Sequence, residues 1–299
     1  MRAVLVILLT VVFAALFVEF RVPAGDWVEF VVNWLTSSVG WLFDFISAVV
    51  NWMTGGLERV LLWPSTYVMA AIFGLVGWGA KGLVFGASSF LGFMLIHSMG
   101  LWGDAMSTLS LVVVAAFFAV LIGIPLGIVA ANNEVASALF RPILDFMQTL
   151  PVFVYLIPAI IFFGIGTVPG VFATVIFAMP PAVRLTELGL RQVDTEVVEA
   201  AEAFGASRSK ILRNVQLPLA MPTLMAGVNQ VIMLALSMVV TAGIVGAGGL
   251  GAVVYRGVTR LDVGLGFEGG LAVVILAIFL DRLTAALSIS KGAHGNETS

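Results

Sequence analysis

The sequence predicts an all-α polytopic membrane protein of about eight transmembrane helices, with an interfacial amphipathic helix near its N-terminus. Three observations predict it. The 299 residues are 61% hydrophobic and only 10% charged, with a mean hydropathy of +1.12. Soluble domains lie nearer half apolar and a quarter charged. Apolar runs of about 20 residues recur, which is the length a helix needs to cross a bilayer. The roughly ten-residue alternating segments of a membrane β-barrel are missing. The chain has no cysteine, which excludes disulfides and thiolate metal sites. Its two histidines, His97 and His294, stand far apart, so no metal site is expected. No basic patch suits nucleic acid.

The spans fall near residues 3–20, 63–80, 82–99, 106–131, 143–166, 168–188, 219–246 and 267–289. The first run carries one arginine and a poor cleavage site near Ala15. It reads as an uncleaved, signal-anchor-like span within a segment 1–24. Gly74, Gly77, Gly79, Gly82 and Gly86 crowd the junction of the second and third spans, which fill a segment 61–100. Lys81 marks that junction as a tight turn. With both termini in the cytoplasm, ten Lys and Arg face inward and four face outward: Arg21, Arg59, Arg256 and Arg260. That asymmetry sets the orientation. The polar tail, 291–299, reads as disordered.

Residues 25–60 form an extracytoplasmic, Trp-rich region. Trp27, Trp34 and Trp41 recur every seven residues and Trp52 falls on the same arc of a helix. A polar stripe of Glu29, Asn33, Ser37, Gly40, Asp44, Ser47 and Asn51 lies beside them. Tryptophans flanking a polar stripe suit a helix in the outer interface. The alternative is an extra span with its polar face buried.

One stretch stands out for charge. Ten of the 31 charged residues fall between Arg184 and Arg213. The orientation places this island, loop 190–216, in the cytoplasm. It reads as a helix beginning with acids, an interruption at Gly205, and a short helix ending in bases. Both charge placements suit the helix dipole. Pro218 and Pro222 then open the next span, where proline is tolerated. Arg184 and Glu187, three apart on one face, are expected to brace the loop. Asp145 is a candidate acid inside a core span, within one turn of its cytoplasmic end near Arg141, and reads as an ion-paired or snorkelling group. His97 reads as an interface residue.

The island also carries a spacing found in a known family. Glu199, Ala200, Ala201, Gly205, Val215, Leu217 and Pro218 resemble the EAA loop of binding-protein-dependent ABC importer permeases. "LDFMQTLPVFVYLIPAIIFFGIG", "LPLAMPTLMAGVNQVIMLALSMVV", "GGLGAVVYRGVTRLDVGL" and "LAIFLDRLT" are similar to the glycine betaine/proline betaine branch. The resemblance covers about residues 25–290. It implies that the last five spans, 101–290, form a type I importer permease core. It implies that Glu199, Ala200, Ala201, Gly205, Leu217 and Pro218 belong to a coupling helix docking on an ATPase subunit.

The resemblance further implies two ATPase subunits, a second copy of this chain and an extracytoplasmic binding protein, in the inner or cell membrane of a bacterium or archaeon. No cofactor is expected on this chain. It contains no G-x-x-x-x-G-K-[ST] loop, so ATP and Mg are expected on the partner and the chain itself is not expected to be an enzyme. The literal G-x-G-x-x-G at Gly246, Gly248 and Gly251 follows a membrane helix rather than a strand, so it does not read as a dinucleotide site. With Gly249, topology places it near the outer face, and the resemblance implies that it borders the gate between the last two spans.

A quaternary ammonium has no N–H to donate and is best met by aromatic faces and carbonyl oxygens. In the span at 143–166, Gln148, Tyr155 and Phe162 are seven apart, with Pro151 and Pro158 on the same face. These residues are expected to line the path, with Asn229 and Ser237 from the span at 219–246. Helix packing is the competing account of the same pattern. The implied function is import of glycine betaine or a related compatible solute. Choline, carnitine or trimethylamine N-oxide are alternatives. A secondary transporter or channel working without an ATPase is a more distant one, and few core charges support it.

Overall fold

The computed structural model describes residues 23–292, together with 6, 7, 9, 10 and 13. Most of the expected span at 3–20, and the tail beyond 292 with His294, lie outside the described residues. The chain divides into two units, Met1–Phe43 and Asp44–Ser299. Helix α1, Ala24–Leu62, begins in the first unit and breaks its helical geometry at Val39 (φ −125°, ψ 24°). In the first unit Trp27, Trp34 and Trp41 are all more than half exposed, while Val32 is buried.

In the second unit, the end of α1 packs Val50 and Met53 against Leu111 and Val114 of α4, Trp102–Asn132, and Val168 of α7, Thr167–Arg191. Between them in sequence lie two helices of 16 residues, α2 (Thr66–Lys81) and α3 (Leu83–Ser98). Each is about 24 Å long, less than the ~30 Å hydrocarbon core. The expected spans at 63–80 and 82–99 are these shorter helices. Their glycines are explained by close approach. A Cβ on Gly86 would lie 2.7 Å from the Gly74 carbonyl and 2.7 Å from Trp78 Cβ. Phe93 of α3 is fully buried, stacked 4.2 Å from Phe73 and edge-on to Phe279.

Among the described residues four stretches are long and apolar enough to cross a membrane alone: Trp102–Asn132, Thr167–Arg191, Arg208–Ile244 and Val263–Ala286. Counting bent helix pairs as single spans raises the number to six. The expected span at 143–166 is one such pair rather than a continuous helix. It consists of α5, Glu134–Thr149, and α6, Val152–Phe163, meeting at 94°. The cause is Pro151. Proline excludes the α conformation from its predecessor, and Leu150 is extended (φ −63°, ψ 133°).

The bundle is assembled by small residues, as expected where lipid gives helices no hydrophobic reason to associate. Gly123 and Gly127 of α4 sit against Ala182 and Thr186 of α7. Gly189 of α7 faces Thr223, and Gly227 faces Leu185, joining α7 to α10, Leu217–Ser237. The remaining elements are α8 (Thr195–Ala203), α9 (Arg208–Ile211), α11 (Val239–Ile244), α12 (Gly249–Arg260) and α13 (Val263–Gly292).

Candidate functional site: the charged segment and the path above it

The segment after α7 is built by caps. Asp194 accepts a hydrogen bond from the Glu196 N–H at 2.9 Å and so starts α8. Gly205 ends it with φ +78°. The Ala206 N–H donates to the Ala201 carbonyl at 3.1 Å and the Gly205 N–H to Glu202 at 2.8 Å. That crossed pair is a Schellman motif, which needs a left-handed residue in the position Gly205 holds. The chain then enters α9 and a single π-helical turn, Leu212–Gln216, continuous with α10. Pro218 offers no N–H to the ladder, and Leu217 donates five residues back to Leu212. Helix, turn and helix are thus as the sequence predicts, but the second helix runs on into the span without a separate loop.

No residue of α8 is buried, and Glu199, Ala200 and Gly205 are exposed. Phe204, beside the turn, is 92% exposed. No packing among the described residues accounts for this exposed apolar ring on a polar segment. Sequence reasoning passed over it, although "EAFGAS" displays it. Behind α8 lies a cleft of about 300 Å³ lined by Asn132, Arg191, Thr195, Val198, Glu199 and Gln216.

At the base of the segment, Arg184 and Glu187 do not pair with one another. Both reach α5. Arg184 binds Asp145 at 2.5 Å, so Asp145 is ion-paired with Arg184 rather than with Arg141. Glu187, only 9% exposed, accepts from Ser137 Oγ at 2.7 Å and from Arg191 Nε at 3.0 Å, with Arg141 at 3.5 Å. Arg191 also pairs with Glu134 and donates to the Ala130 carbonyl at 3.1 Å. One carboxylate and one guanidinium thereby tie the ends of α4, α5 and α7 where the charged segment leaves α7. Ser137 and Arg141 are not visible in this role from sequence, because the carboxylate lies about 50 residues from them, whereas Arg191 is the i,i+4 neighbour of Glu187 on α7 and that spacing could have found it.

The residues expected along a path are dispersed by the bend. Gln148 lies on α5, while Tyr155, Pro158 and Phe162 lie on α6, so they do not share one helical face. Pro151 sits at the corner itself, exposed. Tyr155 is buried with Leu156, Ala173, Met238 and Val245, its hydroxyl 3.5 Å from the Met147 carbonyl. Asn229 donates to Asp281 at 3.0 Å and accepts from Thr284 at 2.6 Å, which makes it a polar link between α10 and α13. Ser237 is exposed and bonds back to Met233 of its own helix. His97 packs edge-on against Tyr67 and Trp102.

The glycine turn is packed, not loose. Gly246, Gly248 and Gly249 have positive φ. A Cβ on Gly251 would strike the Val239 carbonyl, and one on Gly249 would lie 2.5 Å from Thr108 Oγ1. The Gly166 N–H donates to the Val245 carbonyl at 3.1 Å, joining the turn to the α6–α7 link. Thr108 and Ala130, which contact the turn and Arg191 respectively, are 22 residues apart on α4. That is about 33 Å of helix, so turn and charged segment lie at opposite ends of a membrane-sized rod. Among the described residues no cluster of three His, Asp or Glu side chains could hold a metal ion.

Over residues 123–289 the chain matches the family described as binding-protein-dependent transport system inner membrane component. It is 46% identical over 275 residues to a glycine betaine/proline betaine transport system permease protein of Escherichia coli (strain K12), covering 92% of this chain and 78% of that one. It is 45% identical over 276 residues to a glycine betaine transport system permease protein of Bacillus subtilis (strain 168), covering 92% and 98%. A trimethylamine N-oxide transport system permease protein of Ruegeria pomeroyi is 37% identical over 293 residues, covering 91% and 43%. Among solved structures, an inward facing conformation of the MetNI methionine ABC transporter aligns with TM-score 0.58 at 25% identity. It covers 64% of this chain and 95% of that one.

Proposed function

Because the chain belongs to the family of binding-protein-dependent transport system inner membrane components, we propose that it is the transmembrane subunit of an ATP-driven importer of glycine betaine or a related quaternary ammonium solute. The observation that carries the solute class is identity of 45–46% sustained over 92% of the chain to two glycine betaine permeases. The chain is a multi-pass membrane protein. In this reading it sits in the cell membrane with both termini cytoplasmic and pairs with a second copy of itself. Two separate ATPase subunits bind ATP and Mg. An extracytoplasmic binding protein delivers the solute.

The geometry supports a division of labour. Glu199 to Gly205 present an unburied helix and a tight turn, and Phe204 supplies an apolar anchor toward the ATPase. The Glu187 cluster would pass motion of that segment into α4 and α5. ATP would then bias a bundle between two arrangements rather than push the solute. Tyr155 and Phe162 on α6 supply aromatic faces suited to a methylated ammonium. Tight binding in the pore would slow release, so selectivity is assigned to the binding protein.

The test is uptake of radiolabelled glycine betaine into proteoliposomes holding this chain, its ATPase and its binding protein. ATP-dependent uptake lost on omission of either partner is the expected result. Uptake of trimethylamine N-oxide, carnitine or choline but not betaine would change the solute and keep the machine. Uptake by this chain alone would overturn the proposal.

A further inference from the structure

Helix α12 begins without a cap of its own. The first N–H groups of a helix have no partner inside it and need one from elsewhere. The usual source is a Ser, Thr, Asp or Asn at the N-cap position, but Gly248 stands there. The first internal bond of this helix runs from Ala252 to Gly248. The Leu250 N–H is met instead by Thr108 Oγ1, at 2.8 Å, from a helix 142 residues earlier in the chain. Thr108 is 2% exposed and Leu250 is fully buried. Gly249 leaves just enough room for this approach, since a Cβ there would lie 2.5 Å from the same oxygen and 3.2 Å from the Asp104 carbonyl.

We propose that Thr108 is a positioning residue whose hydroxyl caps α12 and clasps the Gly246–Gly251 turn to α4, and that this clasp opens as the bundle changes state. The first half stands on geometry alone. The second half rests on the reading of the chain as a switching permease. One hydroxyl joins the opening turns of α4 to the buried start of α12, so separating α12 from α4 must break this bond. The clasp is weak enough to do so reversibly, being a single neutral hydrogen bond.

The experiment is hydrogen–deuterium exchange of the full chain in nanodiscs, following peptides that contain Leu250. In Thr108→Val, which keeps the shape and removes the acceptor, exchange at Leu250 rises at least tenfold, equivalent to about 1.4 kcal/mol. Thr108→Ser restores wild-type protection. Exchange in Thr108→Val within twofold of wild type would overturn the clasp, whether or not the chain transports betaine. The second half is read in the complex with the ATPase subunits. A non-hydrolysable ATP analogue raises Leu250 exchange in wild type and adds nothing in Thr108→Val. Unchanged wild-type protection would overturn the opening step. Thr108→Cys gives an independent measurement, because the chain has no other cysteine. Its shielded thiol is alkylated faster with the analogue than without it, and equal rates would count against opening.

Discussion

Replacing Gly205 separates two costs that are usually mixed. A Cβ built at this position meets nothing within 4 Å, so no steric clash opposes a side chain there. The entire penalty comes from φ +78°, where an L-residue is about 1–2 kcal/mol less stable than glycine. Asparagine tolerates that region best and a β-branched residue worst. The predicted order of function is therefore Gly, Asn, Ala, Val. Gly205→Ala should depopulate the Schellman turn by about 5- to 30-fold relative to its unwound alternatives. Gly205→Val should do so further. The assay is solute-stimulated ATP hydrolysis alongside uptake in the reconstituted complex. Uptake per ATP should fall along the series while complex assembly on a sizing column is retained. If Gly205→Val transports as well as Gly205→Asn, the turn does not need its left-handed residue and the assignment of the coupling role to this segment fails.

Other substitutions test the remaining parts. Glu187→Ala removes the acceptor for Ser137 and Arg191. Arg141 and Arg191 are partly exposed, so water offsets some of the loss. About 2 kcal/mol of destabilisation is expected in unfolding by SDS in mixed micelles, with reduced uptake per ATP. Phe204→Ala, at a 92% exposed site, should leave the stability of the isolated chain within about 0.5 kcal/mol and weaken ATPase binding by about tenfold or more in a pull-down titration. Tyr155→Leu with Phe162→Leu should lower the maximal uptake rate with normal assembly. Unchanged transport would remove both from the path. Leu261 has φ +54° at the end of α12 and is 88% exposed, so its strained conformation is not offset by packing within the described chain. Leu261→Gly should stabilise the chain by about 0.5–1 kcal/mol in the same SDS titration.

The sequence was most informative where one element reports on itself. Apolar length placed α4, α7, α10 and α13, and the acids, Gly205 and the bases placed α8 and α9. The glycines of 74–86 were legible as crowding but not as helices too short to cross alone. Pro151 was visible, yet a heptad spacing of Gln148, Tyr155 and Phe162 suggested one straight face. The constraint that proline puts on Leu150 won over that periodicity. Long-range polar pairing was the least legible. Asn229 was noticed as a lone amide, while its partners Asp281 and Thr284 lie more than 50 residues on. Glu187 and its i,i+4 partner Arg191 are readable from one helix, but Ser137 and Arg141 reach that carboxylate only once α5 meets α7. Thr108 gave no signal, since one threonine among apolar residues reads as ordinary helix.

Helix α4 is packed along its length against its neighbours and is also bonded near each end by one side chain. At one end Arg191 grips the Ala130 carbonyl, and at the other Thr108 receives α12. Between these points α4 acts as a lever of about 33 Å. Pivoted at the Arg191 end, it moves its far end by about 3 Å for a tilt of about 5°. A hydrogen bond is spent once it lengthens by roughly 1 Å, which a tilt of about 2° already achieves. If the bundle switches as proposed, a tilt of α4 relative to α12 of about 2°, too small to notice in an overlay of two structures, is therefore enough to break the Thr108 bond.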